Sequence, residues 1–336
     1  MYSPPVFIIG AQRSGTTLLR LMLNAHSQLA IPEEGTFWMP ILRDCRRSGG
    51  KAIDPATLAR YLAYIRKNAQ FRLWNLPEAP VAEELLRTDR VTPDQLMSAY
   101  YAAYSRQQGK ARWGDKSPTF FRMAPVLAGL FPDARFIHLV RDGRDNYLSW
   151  QKMGIQRRTV SVGAFEWRHK VGRARADLAR WAPDRTIEVR YEDLVTAPKE
   201  VLTRISRFID LPFEAGMVEF WRRSDRYIGR HHSETIFSPV TADQVSRWQR
   251  NLTPAQVARF EAVAGRCLRE SGYPLTTSGR PTLRTAWGIG LDILTGLPGR
   301  LFRVFRTAAV LGLAARLGIG TRAAGAGEET RRREAK

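Results

Sequence analysis

The chain has 336 residues, and its content of 44% hydrophobic and 25% charged residues is typical of a globular protein. This composition excludes wholesale disorder, a collagen-like repeat and a polytopic membrane protein. Basic residues outnumber acidic ones by 53 to 32. The resulting net charge of +21 predicts an anionic ligand or partner: a polyanion, a phosphorylated or sulfated ligand, or an anionic membrane surface.

Cysteine and histidine usage predicts neither a disulfide framework nor a metal site. The two cysteines, Cys45 and Cys267, allow at most one bridge, as expected in a reducing compartment. Among five histidines only His231 and His232 are adjacent, a spacing that suits neither one helix face nor one strand face. The sequence has no signal-peptide pattern and no stretch of ~18 apolar residues, so we expect a soluble cytoplasmic protein.

Short apolar runs alternate with helical segments along the first 210 residues. VFII (6–9) predicts a buried strand, and apolar residues on most faces from Thr16 onward predict a buried helix. The same strand–turn–helix order recurs at RFIHLV (135–140), and TIEV (186–189) precedes a further helix. This alternation predicts the α/β class, with a mostly parallel central sheet flanked by helices. Residues 36–110 predict a helical insertion over the carboxyl ends of the strands.

The composition changes near residue 280, which predicts one domain over 1–279 and an extension over 280–336. The extension holds eleven Arg or Lys and four Asp or Glu, and its last residues predict a disordered tail. Residues 283–319 mix apolar side chains with arginines at helical spacing, which predicts one or two basic amphipathic helices. Such helices suit peripheral contact with an anionic membrane, but they equally suit packing on the core or pairing of two subunits.

The segment GAQRSGTT (10–17) lies between the first predicted strand and helix, the position of a phosphate-binding loop. Its glycine spacing resembles that of a nucleoside-triphosphate loop, but Thr16 stands where the lysine of such loops is expected. The missing lysine argues against ATPases and kinases, and Arg13 supplies a cation inside the loop instead. The alternative is a tight turn that needs Gly10 and Gly15 for geometry alone.

A second motif, LVRDGRDNYLS (139–149), follows the strand at 135–140. It supplies Arg141, a guanidinium that can bind an anion through two donors, and Ser149 about two helical turns further on. Taken alone, RDGRD could equally be the solvated start of a helix.

Together the two motifs resemble those of sulfotransferases that use 3′-phosphoadenosine 5′-phosphosulfate (PAPS). The resemblance implies a P-loop-like sheet, a loop that binds the 5′-phosphosulfate, and a 3′-phosphate site at Arg141 and Ser149. It extends through GDKSP (114–118), RYEDLVTAP (190–198) and SRWQRNLT (246–253) to about residue 275. RSGTTLLRLML (13–23) with Glu33-Glu34 is similar to the tyrosylprotein sulfotransferase branch and its bacterial relatives. One departure is Ser238, where that branch often has lysine.

The resemblance also implies a role for each site residue. The predicted catalytic residues are Glu34 as general base, with Arg13 and Lys116 stabilising charge on the bridging oxygen. The predicted cofactor-binding residues are Arg13, Ser14, Gly15, Thr16, Thr17, Arg141, Ser149 and Tyr191, the last near the adenine. PAPS is the expected co-substrate, no metal is expected, and the acceptor is a hydroxyl (or amine) on a small molecule, lipid, glycan or peptide.

Each assignment has an alternative. Glu33-Glu34 could be a solvated acidic turn, Lys116 a surface lysine, and Tyr191 a core residue. His26 is a rival base, or else a polar residue near the end of the first helix. Three aromatic residues of the insertion could line an acceptor pocket or simply pack: Phe37, Trp38 and Trp74. Roles for Arg247 and Trp248 stay open.

Two other functions compete with sulfuryl transfer. The charge of +21 suits a non-catalytic nucleotide- or polyanion-binding protein, and the fold suits a small-molecule kinase. Nucleic-acid binding would require a recognised module or basic residues interleaved with stacking aromatics, and the sequence has neither, so no nucleic-acid partner is expected.

Overall fold

A computed structural model of the chain describes residues 3–152, 159–222 and 238–296. Its centre is a five-stranded sheet of order β2-β3-β1-β4-β5, in which every neighbouring pair is parallel. The strands are β1 (Val6–Gly10), β2 (Leu29–Ala30), β3 (Arg112–Lys116), β4 (Arg135–Val140) and β5 (Thr186–Arg190). The predicted α/β class with a central parallel sheet is therefore confirmed.

Helices cover both faces of the sheet. They are α1 (Thr16–Asn24), α2 (Trp38–Ser48), α3 (Pro55–Lys67), α4 (Ala69–Arg72), α5 (Glu78–Leu86), α6 (Pro93–Gln107), α7 (Ala124–Leu130), α8 (Gly143–Gln151), α9 (Val160–Trp181), α10 (Tyr191–Thr196), α11 (Pro198–Phe208), α12 (Trp248–Asn251), α13 (Pro254–Glu270) and α14 (Leu283–Gly296). Side chains of β1 alternate between the faces: Val6 and Ile8 pack with α1 and α11, whereas Phe7 and Ile9 pack with the insertion.

The three strands predicted from apolar runs are observed, but two strands were missed. β2 has only two residues, and β3 has the sequence RWGDK, whose charged residues do not resemble a buried strand. Nevertheless all five residues of β3 are buried. Arg112 can be buried because it donates hydrogen bonds to the carbonyl oxygens of Pro4 and Ile209. The interpretation of Lys116 as a surface lysine is wrong, because its side chain is fully buried.

The insertion is helical, as predicted, and consists of α2–α6. It packs on one face of the sheet, where Tyr101 of α6 stacks on Trp113 of β3 with ring centroids 4.6 Å apart. Phe37, Trp38 and Trp74 are buried against one another and against neighbouring rings, which is the packing alternative. The insertion also touches the turn after β2, because Trp74 Nε1 donates to the Glu33 carbonyl at 2.8 Å.

The RDGRD segment is not a solvated helix start. Arg144 is buried and pairs with Asp142 and Glu261, each at 2.7 Å. Its guanidinium carbon lies 3.7 Å from the centre of the Trp248 ring. Asp145 accepts a hydrogen bond from the Trp248 amide at 2.8 Å. This buried network joins the start of α8 to α12 and α13, which explains why the sequence is so polar there.

The described part of the carboxyl-terminal extension packs on the rest of the chain. α14 contacts α9 and α13, which fits the packing alternative for residues 283–296. Residues 297–319 of the predicted amphipathic segment, and the predicted tail, lie outside the described residues. Within the described ranges no helix combines the length and the apolar character needed to cross a bilayer. The domain boundary near residue 280 stays a prediction.

Candidate active site

The loop between β1 and α1 has the backbone geometry of an anion-binding turn. Arg13 and Gly15 adopt left-handed conformations, with φ of 71° and 92°, and no side chain caps the start of α1 at Thr16. Amides at the first turn of α1 thus lack a side-chain partner, and the helix dipole adds a partial positive charge. Gly15 is required for a second reason: a Cβ there would lie 2.4 Å from the ring of Tyr191.

Asn146 of α8 holds this loop in place. Its side-chain amide donates to the Gln12 carbonyl at 2.8 Å and to the Ser14 hydroxyl at 3.2 Å. Lys170 of α9 also donates to the Gln12 side chain at 2.8 Å. Side chains of two helices, α8 and α9, therefore hold the loop.

On one side of the loop, cationic side chains converge. Arg13 Nε donates to Ser149 Oγ at 3.2 Å, and Arg141 donates to the carbonyls of Arg13 at 3.4 Å and Gln244 at 2.7 Å. Burial and the neighbouring charge of Arg141 both lower the pKa of Arg13. Arg141 Nε is buried and has no partner among the described residues. Two neighbouring guanidinium groups, one of them with an unpaired donor among the described residues, are suited to an anionic ligand.

Tyr191 belongs to this same cluster. The guanidinium carbon of Arg141 lies 4.4 Å from the centre of its ring, and the ring covers Gly15 from the other side. Tyr191 is buried, so it packs between the loop and β5 as well as facing Arg141. The core-packing and ligand-contact interpretations of Tyr191 are therefore compatible.

On the other side of the loop, Lys116 and Glu34 form an ion pair. Lys116 Nζ lies 2.6 Å from Glu34 Oε1 and 3.3 Å from Thr17 Oγ1. The Lys116 side chain is fully buried, whereas that of Glu34 is 29% exposed. The carboxylate thus faces solvent while the cation behind it touches the first turn of α1, an arrangement suited to a base in contact with an acceptor.

The two neighbouring glutamates have different environments. Glu33 is buried and pairs with Arg20 of α1 at 2.6 Å. Arg20 also donates to the carbonyls of Ile31 and Pro32. These bonds fix the turn that carries Glu34, so the interpretation of Glu33-Glu34 as a solvated acidic turn is wrong.

His26 lies away from both clusters. Its ring is buried, Nε2 is 2.9 Å from the Pro212 carbonyl, and Nδ1 accepts from the Gln28 amide at 3.0 Å. It sits just after α1, at the opposite end of that helix from the loop. This contradicts a role as base and agrees with a polar residue near the helix end.

Asp115 lies next to this site, although only Lys116 of the GDKSP motif (114–118) was predicted as a functional residue. It is completely buried, and its Oδ2 accepts from the Gly35 amide at 3.2 Å, Tyr101 at 2.7 Å and Ser117 at 3.2 Å. Its Oδ1 has no partner among the described residues. A Cβ on Gly35 would lie 2.7 Å from Asp115 Oδ2, so the turn carrying Glu34 is held tightly against β3.

Asp115 predicts a change of stability with pH. Burial raises its pKa to about 6; hydrogen bonds from Tyr101 and Ser117 and the charge of Lys116 oppose the rise, and Glu34 adds to it. The unfolded chain releases this proton near pH ~3.9. The folded protein therefore binds the extra proton between about pH 4 and 6, and this group makes stability fall as pH rises through that range. Asp115→Asn should remove this contribution.

Urea unfolding from pH 4 to 8 measures the contribution of Asp115 to the pH dependence of stability. The free energy of unfolding of Asp115→Asn minus that of the wild type should rise between about pH 4 and 6 and stay constant above. Asp133→Asn, which alters an exposed carboxyl, is the matched control and should give a flat difference. A flat difference for Asp115→Asn would show that Asp115 titrates normally.

Other predicted positions are placed as follows. Arg247 lies beside the cationic cluster, where its side chain donates to Gln244 Oε1 at 2.6 Å, while Trp248 is buried under Arg144. Ser238 is exposed.

Asn146 could have been found from the sequence, since it precedes Ser149 by three residues and shares its helix face. In the part of the chain that the structure describes, no group of three acidic, His or Cys side chains could hold a metal ion.

The chain matches known proteins over most of its length. The family model described as "Sulfotransferase family" matches residues 4–215. Protein-tyrosine sulfotransferase 1 of Danio rerio is 26% identical over 295 residues, which cover 80% of this chain and 72% of that protein. Protein-tyrosine sulfotransferase of Drosophila melanogaster is 25% identical over 80% of this chain, but the match spans about half (52%) of the fly protein.

A solved structure shares the fold. The sulfotransferase domain from the Synechococcus PCC 7002 olefin synthase superposes with a TM-score of 0.54 at 24% identity, covering 82% of this chain and 97% of that domain. The relatives belong to the branch that the motifs around residues 13–34 resemble, and they favour neither a kinase nor a non-catalytic binding protein. The chain belongs to the sulfotransferase family and is an enzyme of sulfuryl transfer.

Proposed function

We propose that the protein transfers a sulfuryl group from PAPS to a hydroxyl or amine of an acceptor. The observation that carries this proposal is that the phosphate loop lies between two clusters of charged side chains. One cluster is cationic and suits an anionic ligand, with Arg13 and Arg141 held together. The other joins a buried cation to a solvent-facing carboxylate, Lys116 and Glu34.

The residues present fit PAPS at both of its charged ends. The loop amides and hydroxyls of Ser14, Gly15, Thr16 and Thr17 would hold the 5′-phosphosulfate, helped by the dipole of α1. Arg141, whose buried Nε lacks a partner among the described residues, would hold the 3′-phosphate together with Ser149. Burial and, after it, the charge of Arg141 lower the pKa of Arg13, and an anion bound there would offset both effects. Tyr191, under Arg141, would face the adenine.

PAPS would supply the sulfuryl group, and side chains of the protein would accept the acceptor's proton and stabilise the charge on the leaving group. Glu34 takes the proton from the acceptor hydroxyl as the new oxygen–sulfur bond forms. Lys116 and Arg13 stabilise the negative charge left on the bridging oxygen when the old bond breaks. Because Lys116 is buried and already in contact with Thr17, it needs little rearrangement to do so.

The acceptor is proposed only as a class. The relatives are named for protein tyrosine, a phenolic hydroxyl, and a solvent-facing Glu34 can accept a proton from any hydroxyl that reaches it. A peptide, a lipid, a glycan and a small molecule all satisfy this requirement.

Transfer from labelled donors tests the proposal. The purified full-length chain is incubated with an acceptor panel and either sulfur-labelled PAPS or γ-phosphate-labelled ATP. We expect label to move from PAPS and not from ATP. Transfer from ATP would indicate a kinase, and tight binding of adenosine 3′,5′-bisphosphate with no transfer to any acceptor class would indicate a binding protein.

Ser149→Ala should weaken binding of adenosine 3′,5′-bisphosphate by about three- to tenfold. The variant removes one hydroxyl, and a hydrogen bond of this kind contributes about 1 kcal/mol. It also releases Arg13 Nε, which contacts that hydroxyl at 3.2 Å. Titration calorimetry measures the effect, with Ser48→Ala on the exposed end of α2 as control. Unchanged affinity would remove Ser149 from the proposed 3′-phosphate site.

A further inference from the structure

Helix α14 presents a row of large apolar side chains to solvent. Leu283, Trp287, Leu291 and Leu294 are 93%, 80%, 54% and 69% exposed. At 100° per residue these four positions lie within an arc of about 80° on the helix surface. Scattered apolar residues are ordinary on a protein surface, but four on one helix face mark an interaction site. We call these four residues the apolar row.

The opposite face of α14 is anchored. Asp292 accepts from the amide of Ser161 at 3.1 Å and from its hydroxyl at 2.6 Å, and it lies 3.4 Å from Arg259 Nη1. Ile289 packs against the core formed by α9 and α13. These contacts fix the rotation of the helix about its axis, so the apolar row is directed away from the protein.

The charges around the apolar row are positive. α14 contains two charged residues, Arg284 and Asp292, and Asp292 is paired with Arg259 on the opposite face. Arg284 flanks the apolar row, and Arg280 lies just before the helix. The whole segment 280–336 has eleven basic and four acidic residues. A surface that combines apolar insertion with positive charge matches an anionic lipid leaflet.

We propose that the apolar row is a docking surface for an anionic lipid bilayer. The leucines and Trp287 enter the interface between headgroups and acyl chains, and Arg280 and Arg284 contact the headgroups. A second copy of the chain fits less well. A helix of this length is about 21 Å long, and a strip about 10 Å wide offers about 200 Å², against ~800 Å² per partner in a stable complex.

The docking surface lies beside the helix that serves the candidate site. α14 is anchored to the start of α9, where Gly163 packs closely against Tyr147 of α8: a Cβ on Gly163 would lie 2.5 Å from that ring. Tyr147 precedes Ser149 by two residues. Docking through α14 would therefore place the bilayer beside α9, which packs on α8, the helix that carries Ser149.

Vesicle co-sedimentation of the full-length chain tests the proposal. The vesicles are phosphatidylcholine alone or mixed with phosphatidylglycerol. The test variant changes all four residues of the apolar row to Gln, and the control variant changes two exposed apolar residues elsewhere, Leu86 and Trp181, to Gln. We expect the wild type and the control to bind the anionic vesicles, and the test variant to bind them at least about tenfold more weakly.

Several results would overturn the proposal. Equal binding of the test variant and the wild type would mean that the net charge alone attracts the protein to vesicles. A dimer that the test variant abolishes, with no vesicle binding, would assign the apolar row to a second copy. A lowered melting temperature of the variant with unchanged vesicle binding would mean that the chain itself covers the apolar row. Wild-type affinity of the variant for adenosine 3′,5′-bisphosphate verifies that its active-site fold is intact.

Discussion

Glu34→Gln should lower kcat by about 10²- to 10⁴-fold and leave the affinity for adenosine 3′,5′-bisphosphate within about twofold of wild type. The amide cannot take the acceptor proton, which removes general-base assistance. In the wild type, Lys116 Nζ lies 2.6 Å from Glu34 Oε1. The amide oxygen of the variant can still accept this hydrogen bond, so we expect the positions of the surrounding side chains to be unchanged. Steady-state kinetics with an acceptor from the labelled-PAPS screen, and titration calorimetry with the bisphosphate, measure the two quantities.

Glu33→Gln is the matched control for this experiment. It makes the same chemical change one residue earlier, but it weakens the buried pair with Arg20 instead of the exposed carboxylate. We expect a loss of about 1–3 kcal/mol in the free energy of unfolding and less than a tenfold loss of kcat. If both variants lost kcat equally, distortion of the turn would explain the effect. Wild-type kcat in Glu34→Gln at every pH would exclude Glu34 as the base.

Arg141→Ala should weaken binding of adenosine 3′,5′-bisphosphate by about ten- to a hundredfold, since a charge-assisted contact contributes about 1.5–3 kcal/mol. Binding of adenosine 5′-phosphate should change by less than threefold, because that ligand has no 3′-phosphate. Arg141→Lys should lie in between, since lysine keeps the charge but loses the two-donor geometry. Titration calorimetry with both nucleotides measures the difference.

Arg250→Ala is the control for charge. It removes one positive charge from an exposed position on α12, and neither nucleotide should bind differently as a result. Equal losses for both nucleotides in Arg141→Ala would mean that Arg141 supports the loop, through its bond to the Arg13 carbonyl, rather than the 3′-phosphate.

The strands that bear the loop and Arg141 could be predicted because β1 is apolar and β4 has four apolar residues out of six. β3 could not, because its burial depends on residues remote in sequence. Arg112 donates to the Ile209 carbonyl, Asp115 accepts from Tyr101, and Lys116 pairs with Glu34. The sequence around β3 does not indicate any of these partners. A charged strand is stable only when each charge finds a partner, and a single sequence does not reveal the partners.

Among the site residues, too, some could be predicted from the sequence and others could not. Arg13, Arg141 and Ser149 were singled out by the resemblance to the family's two motifs, and the structure brings these three residues together. The resemblance singled out Glu34 as the base, but the different burial of Glu33 and Glu34 does not follow from the sequence, because the two residues are chemically identical. Only the direction of Arg20 on α1 decides which of them is buried.

The strand order also sets the distance between the two groups of residues that we propose to bind the nucleotide. β1, with the phosphate loop at its end, lies between β3, which ends in Lys116, and β4, which leads into Arg141. Two interstrand spacings, about 10 Å across the sheet, therefore separate the strands that position Lys116 and Arg141. A nucleotide with one anionic group can contact only one of the two groups of residues. In the proposed binding mode, the backbone of the sheet would thus select ligands by the distance between their charges as well as by the amount of charge.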